Sequence, residues 1–145
     1  LLDHIEDPHN FGAIIRSCEA FGVDAIIIPN DRSVDITGTV VKASVGTIEK
    51  VKIIKVTNLN NTIKKLKDYG YWVVGTDMEG TVYTDIDYKM KTALIIGNEG
   101  KGISRLVSEN CDYLAKIPMS GTVNSLNASV ACGIFLAEIN RSRGV

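Results

Sequence analysis

Short apolar runs alternate with helix-period segments along nearly the whole chain. Residues 24–29 (DAIIIP), 51–56 (VKIIKV), 71–76 (YWVVGT), 92–97 (TALIIG) and 113–118 (YLAKIP) are rich in Ile and Val and bounded by Gly, Pro, Asn or Asp. They predict strands, and their continuous apolar character suits parallel strands buried on both faces. Residues 1–3 fit the tail of a further strand.

Between these runs the apolar period lengthens. Phe11, Ile14, Ile15 and Cys18 stand at i, i+3, i+4 and i+7, one stripe of a helix that stops near Gly22. Residues 37–44 predict a shorter helix and 104–110 a brief one. Residues 58–69 predict a helix with Leu59, Ile63 and Leu66 on its apolar stripe, Lys64, Lys65 and Lys67 off it, and Gly70 as its stop. The longest helix spans 125–143. Its stretch 130–137 is apolar nearly all round, so it should be covered on more than one side, and a subunit interface is one way to do that. Strand–helix alternation of this kind means one α/β domain, residues 1–145, with a mostly parallel sheet flanked by helices. In such sheets ligands bind beyond the carboxyl ends of the strands. That rule selects the loops after Asp3, Thr76, Gly97 and Pro118. The stretch 77–84 (DMEGTVYT) reads as an exposed loop at a strand end, able to close over a ligand.

Composition narrows the class. With 145 residues, 45% of them hydrophobic, the chain can build a core without disulfides or a structural metal. Sixteen basic residues against seventeen acidic ones argue against a self-sufficient, groove-coating nucleic-acid binder. Lys64, Lys65 and Lys67 then read as a solvated helix face, with contact to a polyanion as the alternative. No apolar run approaches the ~18 residues of a membrane span, so no membrane partner is expected. Cys18, Cys111 and Cys132 are odd in number and lack a C-x-x-C pair, which fits buried thiols in a reducing cytoplasm. His4 and His9 have no matching acidic or cysteine cluster, and no metal site is expected.

Three loops could carry chemistry. In DPHNFGAIIR (7–16), Asp-Pro makes a turn and Asn10 is expected to cap the helix. Arg16 is left over. A cation close to a helix N-terminus opposes the macrodipole, so an anionic partner explains it better. In GNEGKG (97–102), three glycines after a buried strand permit close backbone approach to a ligand. Neither a Walker A loop nor G-x-G-x-x-G is present. Glu99 would repel a phosphate but suits Arg16, a hydroxyl or a nucleoside, or else a solvated loop position. In IPMSGTVNSLN (117–127), Asn124 or Ser125 is expected to start the last helix. Capping accounts for one polar residue there, and Asn124, Ser125, Asn127 and Ser129 form a cluster that a ligand would satisfy.

In this order and spacing, DPHNFGAIIRSCEAFG, LIIGNEGKGIS and IPMSGTVNSLNASVACGI resemble the SpoU (TrmH) family of RNA ribose methyltransferases. The branch acting on a guanosine of 23S ribosomal RNA is the most similar, on the tract ENCDYLAKIPMSG and the helix after it. The resemblance covers essentially the whole chain. It implies an α/β domain whose C-terminal segment forms a deep trefoil knot, against the general rule that chains avoid knots. It also implies S-adenosyl-L-methionine as cofactor, RNA as substrate (ribosomal ahead of transfer RNA) and a homodimer built through the C-terminal helix and knot. Carried over by motif, the catalytic set falls on Asn10, Arg16, Glu99, Ser125 and Asn127. The cofactor contacts fall on Thr76, Gly97, Ile117, Leu126 and Ser125, with Gly75 a neighbour. Ala128 stands where the family usually has Val. Many members carry an RNA-binding domain upstream; this chain opens on Leu1 and reads as the catalytic part of a longer protein.

The reaction so implied is an in-line methyl transfer from a sulfonium to a ribose 2′-hydroxyl, which must be polarised and held near attack geometry. The family proposal makes the arginine the general base. Guanidinium keeps its proton up to a pKa above about 12, so Arg16 suits anchoring a phosphate and stabilising developing charge, oriented by Glu99 and Asn10. Two other classes stay open on the residues alone. One is a non-enzymatic RNA- or cofactor-binding module, and the other is a nucleotide-binding oxidoreductase without the dinucleotide fingerprint.

Overall fold

The computed structural model describes residues 1–31 and 35–145. Six strands, β1 (Leu2–Asp3), β2 (Ile26–Pro29), β3 (Ile53–Val56), β4 (Trp72–Val82), β5 (Thr92–Gly97) and β6 (Tyr113–Lys116), alternate with five helices. These are α1 (Pro8–Ala20), α2 (Gly38–Ser44), α3 (Leu59–Asp68), α4 (Arg105–Glu109) and α5 (Ala128–Ser142). All pairings between these strands are parallel. The main sheet has the order β1-β5-β4-β6, and the pair β2–β3 lies against β1.

The pleat explains the near-continuous apolar runs. Val73 and Ile95 enter one core cluster while their neighbours Val74 and Ile96 enter the other, because successive side chains point to opposite faces of a sheet. On one side Phe11, Ile14 and Ile15 of α1 meet Phe135, Leu136 and Ile139 of α5. On the other, Leu59 and Ile63 of α3 meet Val107 of α4. The carboxyl end of α5 is tied down as well. The Arg143 guanidinium donates to the carbonyls of Tyr88 (2.8 Å) and Met90 (2.6 Å), and the Tyr88 hydroxyl donates to the Tyr83 carbonyl at 2.6 Å.

Three expectations need correction. Asp7, not Asn10, caps α1: its carboxylate accepts from the His9 N–H at 3.1 Å. Pro8 takes the first helical position, where no N–H is needed, so the cap falls one residue before it. The last helix starts at Ala128 with Asn127 as its cap, not at Asn124 or Ser125. Residues 77–82, read as exposed loop, belong to β4. Thr76 and Thr81 both face Ala115 of β6, and residues 77–80 between them bulge out of register. The helix stops at Gly22 and Gly70 stand as expected, each at positive φ.

Candidate active site

A cavity of about 820 Å³ opens beyond the carboxyl ends of β4, β5 and β6. Three chain segments form its walls: 76–79, 97–103 and 115–126. Ile96, Ala128, Ala131 and Phe135 complete the lining. Its size lies within the range of small-molecule sites.

The first wall is the β4 bulge. Asp77 turns the chain by accepting the Glu79 N–H at 2.8 Å. Gly80 then returns flat onto β6: a Cβ there would stand 2.7 Å from the Ala115 nitrogen and closer still to the Leu114 carbonyl oxygen. Only a residue without a side chain allows that approach.

The second wall is the GNEGKG loop, and Asn98 organises it. Its side-chain oxygen accepts from the N–H groups of Gly100 (2.8 Å) and Lys101 (3.1 Å). Its amide donates to the His4 carbonyl at 3.3 Å. Gly102 N–H closes the turn on the Asn98 carbonyl at 2.6 Å. Gly97 lies against that closure, where a Cβ would stand 2.7 Å from the Gly102 carbonyl oxygen. Asn98 is a structural organiser of the site that its sequence pattern did not single out, although Asn-x-Gly is itself a turn signal.

The third wall runs through Ile117, Ser125 and Leu126 into α5. Asn127 is turned away to cap that helix. Its side-chain oxygen accepts from the N–H groups of Ser129 (2.9 Å) and Val130 (3.4 Å) and from the Ser129 hydroxyl (2.5 Å). That side chain supplies the cap an apolar helix needs. The polar cluster is therefore explained partly by capping.

Of the residues singled out from the sequence, Thr76, Gly97, Glu99, Ile117, Asn124, Ser125 and Leu126 line this one cavity, and Asn10, Arg16, Asn127 and Ser129 do not. Arg16 is exposed on α1 and, like Glu99, makes no ion pair among the described residues. The expected Arg16–Glu99 contact is therefore absent among the described residues. Asn10 is buried. Gly75 stands behind the wall, packed on the Cys111 sulfur. Burial pushes that thiol up to about 11. Cys18 and Cys132 are buried and Cys111 is partly exposed. Among the described residues no His, Cys, Asp and Glu cluster could hold a metal ion, and no helix is long and apolar enough to cross a membrane.

The profile of the SpoU rRNA methylase family matches residues 1–137. A TrmH family tRNA/rRNA methyltransferase of Staphylococcus saprophyticus is 54% identical over 144 residues, covering 99% of this chain and 58% of that protein. The chain thus spans little more than half the length of such relatives. Among solved structures, the SpoU methyltransferase AviRb of Streptomyces viridochromogenes, in complex with AdoMet, matches with a TM-score of 0.91 at 32% identity, over 99% of this chain and 59% of that one. A TrmH/SpoU tRNA modifying enzyme of A. aeolicus matches with a TM-score of 0.91 at 34% identity, over 99% and 73%. An AdoMet-bound rRNA methyltransferase of Sinorhizobium meliloti matches with a TM-score of 0.89 at 34% identity, over 97% and 54%. With the profile reaching into the last turns of α5 and the same backbone recurring in these enzymes, the chain belongs to the SpoU rRNA methylase family and has its α/β-knot fold.

Proposed function

We propose that this chain is the catalytic domain of an enzyme that methylates the 2′-hydroxyl of a ribose in RNA, with a guanosine of 23S ribosomal RNA as the target. The observation that carries the reading is the convergence of Thr76, Gly97, Glu99, Ile117, Ser125 and Leu126, from three separate motifs, on one cavity.

The cavity suits S-adenosylmethionine. Apolar side chains (Ile117, Leu126, Phe135) line it together with the side-chain-free backbone of Gly97, and Asp77, Glu79 and Glu99 outnumber Lys101 and Lys116 in the lining. A cationic sulfonium is favoured by that balance. When bound, the cofactor would supply an electrophilic methyl group. The protein then has to position the ribose oxygen in line and stabilise its developing charge. Ser125 and Glu99 are placed to hydrogen-bond at the cavity. The Arg16 guanidinium, outside the cavity, serves best as an anchor for the neighbouring phosphate of the substrate.

A homodimer through α5 belongs to the same reading. Val130 is 51% exposed, and Ile134 and Ala137 are likewise not buried on this apolar helix, an arrangement a second copy would cover. The cytoplasm, where RNA is matured and thiols stay reduced, is the corresponding compartment.

The test is transfer of labelled methyl from S-adenosylmethionine to ribosomal and transfer RNA, with the modified ribose mapped. Label confined to a ribosomal guanosine supports the reading in full, and label on transfer RNA moves the substrate. Cofactor binding without transfer to either RNA overturns it in favour of a binding module.

A further inference from the structure

The GNEGKG loop holds one side chain that neither its turn nor the chemistry proposed above uses. Of its six residues, four are taken up by the turn itself. The Asn98 side-chain oxygen holds the N–H groups of Gly100 and Lys101, and Gly102 closes the turn at φ 68° against Gly97. Glu99 has its place at the cavity. That leaves Lys101. Its N–H fastens the backbone, but its side chain is exposed and makes no ion pair or hydrogen bond among the described residues.

The loop presents this lysine from a fixed base. Ser104 N–H ties one end to the Asp3 carboxylate at 2.7 Å, and the Asn98 amide ties the other to the His4 carbonyl at 3.3 Å. A stem that starts from an anchored backbone loses less freedom when its ammonium meets a ligand.

Lys101 lines the cavity, yet its charge is out of place for the cofactor. S-adenosylmethionine carries a sulfonium, an ammonium and one carboxylate. It is a net cation, attracted by Asp77, Glu79 and Glu99 and repelled by a lysine. Nor does Lys101 neutralise those carboxylates, since it pairs with none of them. A cation held free in such a lining calls for an anion brought from outside. Lys101 is exposed, whereas Lys116, the other cation of the lining, is half-buried at the end of β6. An incoming strand therefore meets Lys101 first.

RNA supplies the anion. In the target ribose the carbon bearing the 2′-hydroxyl is bonded to the one whose oxygen carries the 3′-phosphate. A reacting ribose thus brings a phosphodiester to the cavity mouth with it. Arg16, outside the cavity, accounts for only one of the two phosphates that flank that ribose.

We propose that Lys101 is a substrate-binding residue. Its ammonium holds a phosphate flanking the target ribose at the cavity mouth and so sets the 2′-hydroxyl against the bound cofactor. The proposal rests on RNA being the substrate. A local grip of this kind also fits a chain whose net charge is −1.

The test compares Lys101→Gln, Lys101→Arg and Lys89→Gln in the intact protein. Lys89 is likewise exposed, but it precedes β5 and does not line the cavity, so its loss removes the same charge from elsewhere. With 23S ribosomal RNA transcribed in vitro, Lys101→Gln should raise KM about five-fold at low salt, the upper worth of one exposed ion pair. The slope of log KM against log salt should become shallower by about 0.7. The kcat should stay near the parent value, and Lys101→Arg should restore most of the KM. Calorimetric affinity for S-adenosylmethionine should hold or tighten, because a repelling charge is gone. Lys89→Gln should keep the parent KM. Direct binding of the same RNA, followed by filter retention, runs alongside.

An unchanged KM and RNA affinity in Lys101→Gln, with the parent protein active, overturns the role of Lys101 and leaves the catalytic reading intact. An equal loss in Lys89→Gln also overturns it, because the effect would then be one of overall charge. So does weaker cofactor binding in Lys101→Gln, which would make the lysine a partner of the cofactor's carboxylate. RNA binding that depends on Lys101 without methyl transfer to any RNA keeps the phosphate contact and sinks the catalytic reading. No RNA binding by the parent protein overturns both.

Discussion

The Asp3 carboxylate accepts a hydrogen bond from the Ser104 N–H at 2.7 Å, joining residues 101 positions apart. Asp3 ends β1 and is buried, while Ser104 precedes α4 and has no side-chain cap of its own. The contact fastens the exit of the 97–103 loop to the strand beside it. On its other flank, Asn98 donates to the carbonyl of His4, which sits at φ 59°. One short segment thus holds the cavity's second wall at both ends.

Asp3→Ala is accordingly expected to destabilise the fold by about 1–3 kcal/mol, the usual penalty for stranding a buried donor. It should also weaken S-adenosylmethionine binding, because the loop would lose its anchor. Asp3→Asn keeps an acceptor in place and should recover part of both losses. Urea denaturation alongside calorimetric cofactor titration would decide this. Equal affinities in Asp3→Ala and the parent protein would mean that the loop holds its shape without the anchor.

A methyl group at position 80 provides a steric test of the first wall. With the Leu114 and Ala115 backbone in the space the new Cβ would need, either the bulge lifts or β6 shifts, and overpacking of this kind costs about 1–3 kcal/mol. Gly80→Ala should therefore lose both cofactor affinity and thermal stability. Gly121→Ala is the matched control, since a Cβ there meets nothing within 4 Å. Similar melting curves for the two variants would contradict the assigned packing.

Arg16 separates function from stability most cleanly. It is exposed and makes no ion pair among the described residues, so Arg16→Ala should change stability by less than about 0.5 kcal/mol. Cofactor affinity should also hold, because Arg16 does not line the cavity. Methyl transfer should fall by roughly 10²–10³-fold if Arg16 stabilises charge developing on the ribose or its phosphate. Single-turnover assays at saturating cofactor give the number, and undiminished transfer would remove Arg16 from the mechanism.

The sequence disclosed most where one physical signal dominated. Ile and Val runs located five strands, and the stripe Phe11–Ile14–Ile15–Cys18 located the buried face of α1, because burial alone sets those patterns. It misled where two signals competed. Asn10 looked like a cap, but Pro8 forced the cap back to Asp7. Residues 77–80 looked like loop because a polar, glycine-containing stretch has no strand period, yet the pairing of Thr76 and Thr81 with β6 on either side keeps them within the strand. The placement of Arg16 away from Glu99 was not legible in spacing at all. It depends on how α1 packs against α2 and α5, which is a three-dimensional fact. Trp72 and Tyr113 were likewise scattered in the chain, and only parallel pairing of β4 with β6 brings their rings together.

Alkaline pH should find a specific weakness behind the cavity. Burial raises the Cys111 thiol to about 11 from its ordinary value of 9.0, and Tyr88 to about 12 from 10.0. In both cases folding favours the protonated form. The stabilisation is complete below the unfolded values and is lost as pH climbs through the folded ones, since the unfolded chain then binds fewer protons than the folded one. Loss should begin near pH 9 with Cys111 and deepen beyond pH 10, when Tyr88 adds to it. Cys111→Ala removes one of two raised thiols, the buried Cys132 hydrogen-bonded to Cys18 being the other, and should make the alkaline loss shallower, although it lowers stability somewhat at neutral pH through lost packing. Chemical denaturation repeated across pH 7 to 11 measures the effect. A parent curve that stays flat to pH 10, or a Cys111→Ala curve as steep as the parent's, would show that the thiol ionises in the folded chain as readily as in the unfolded one and that the layer beneath Gly75 is wetter than its packing implies.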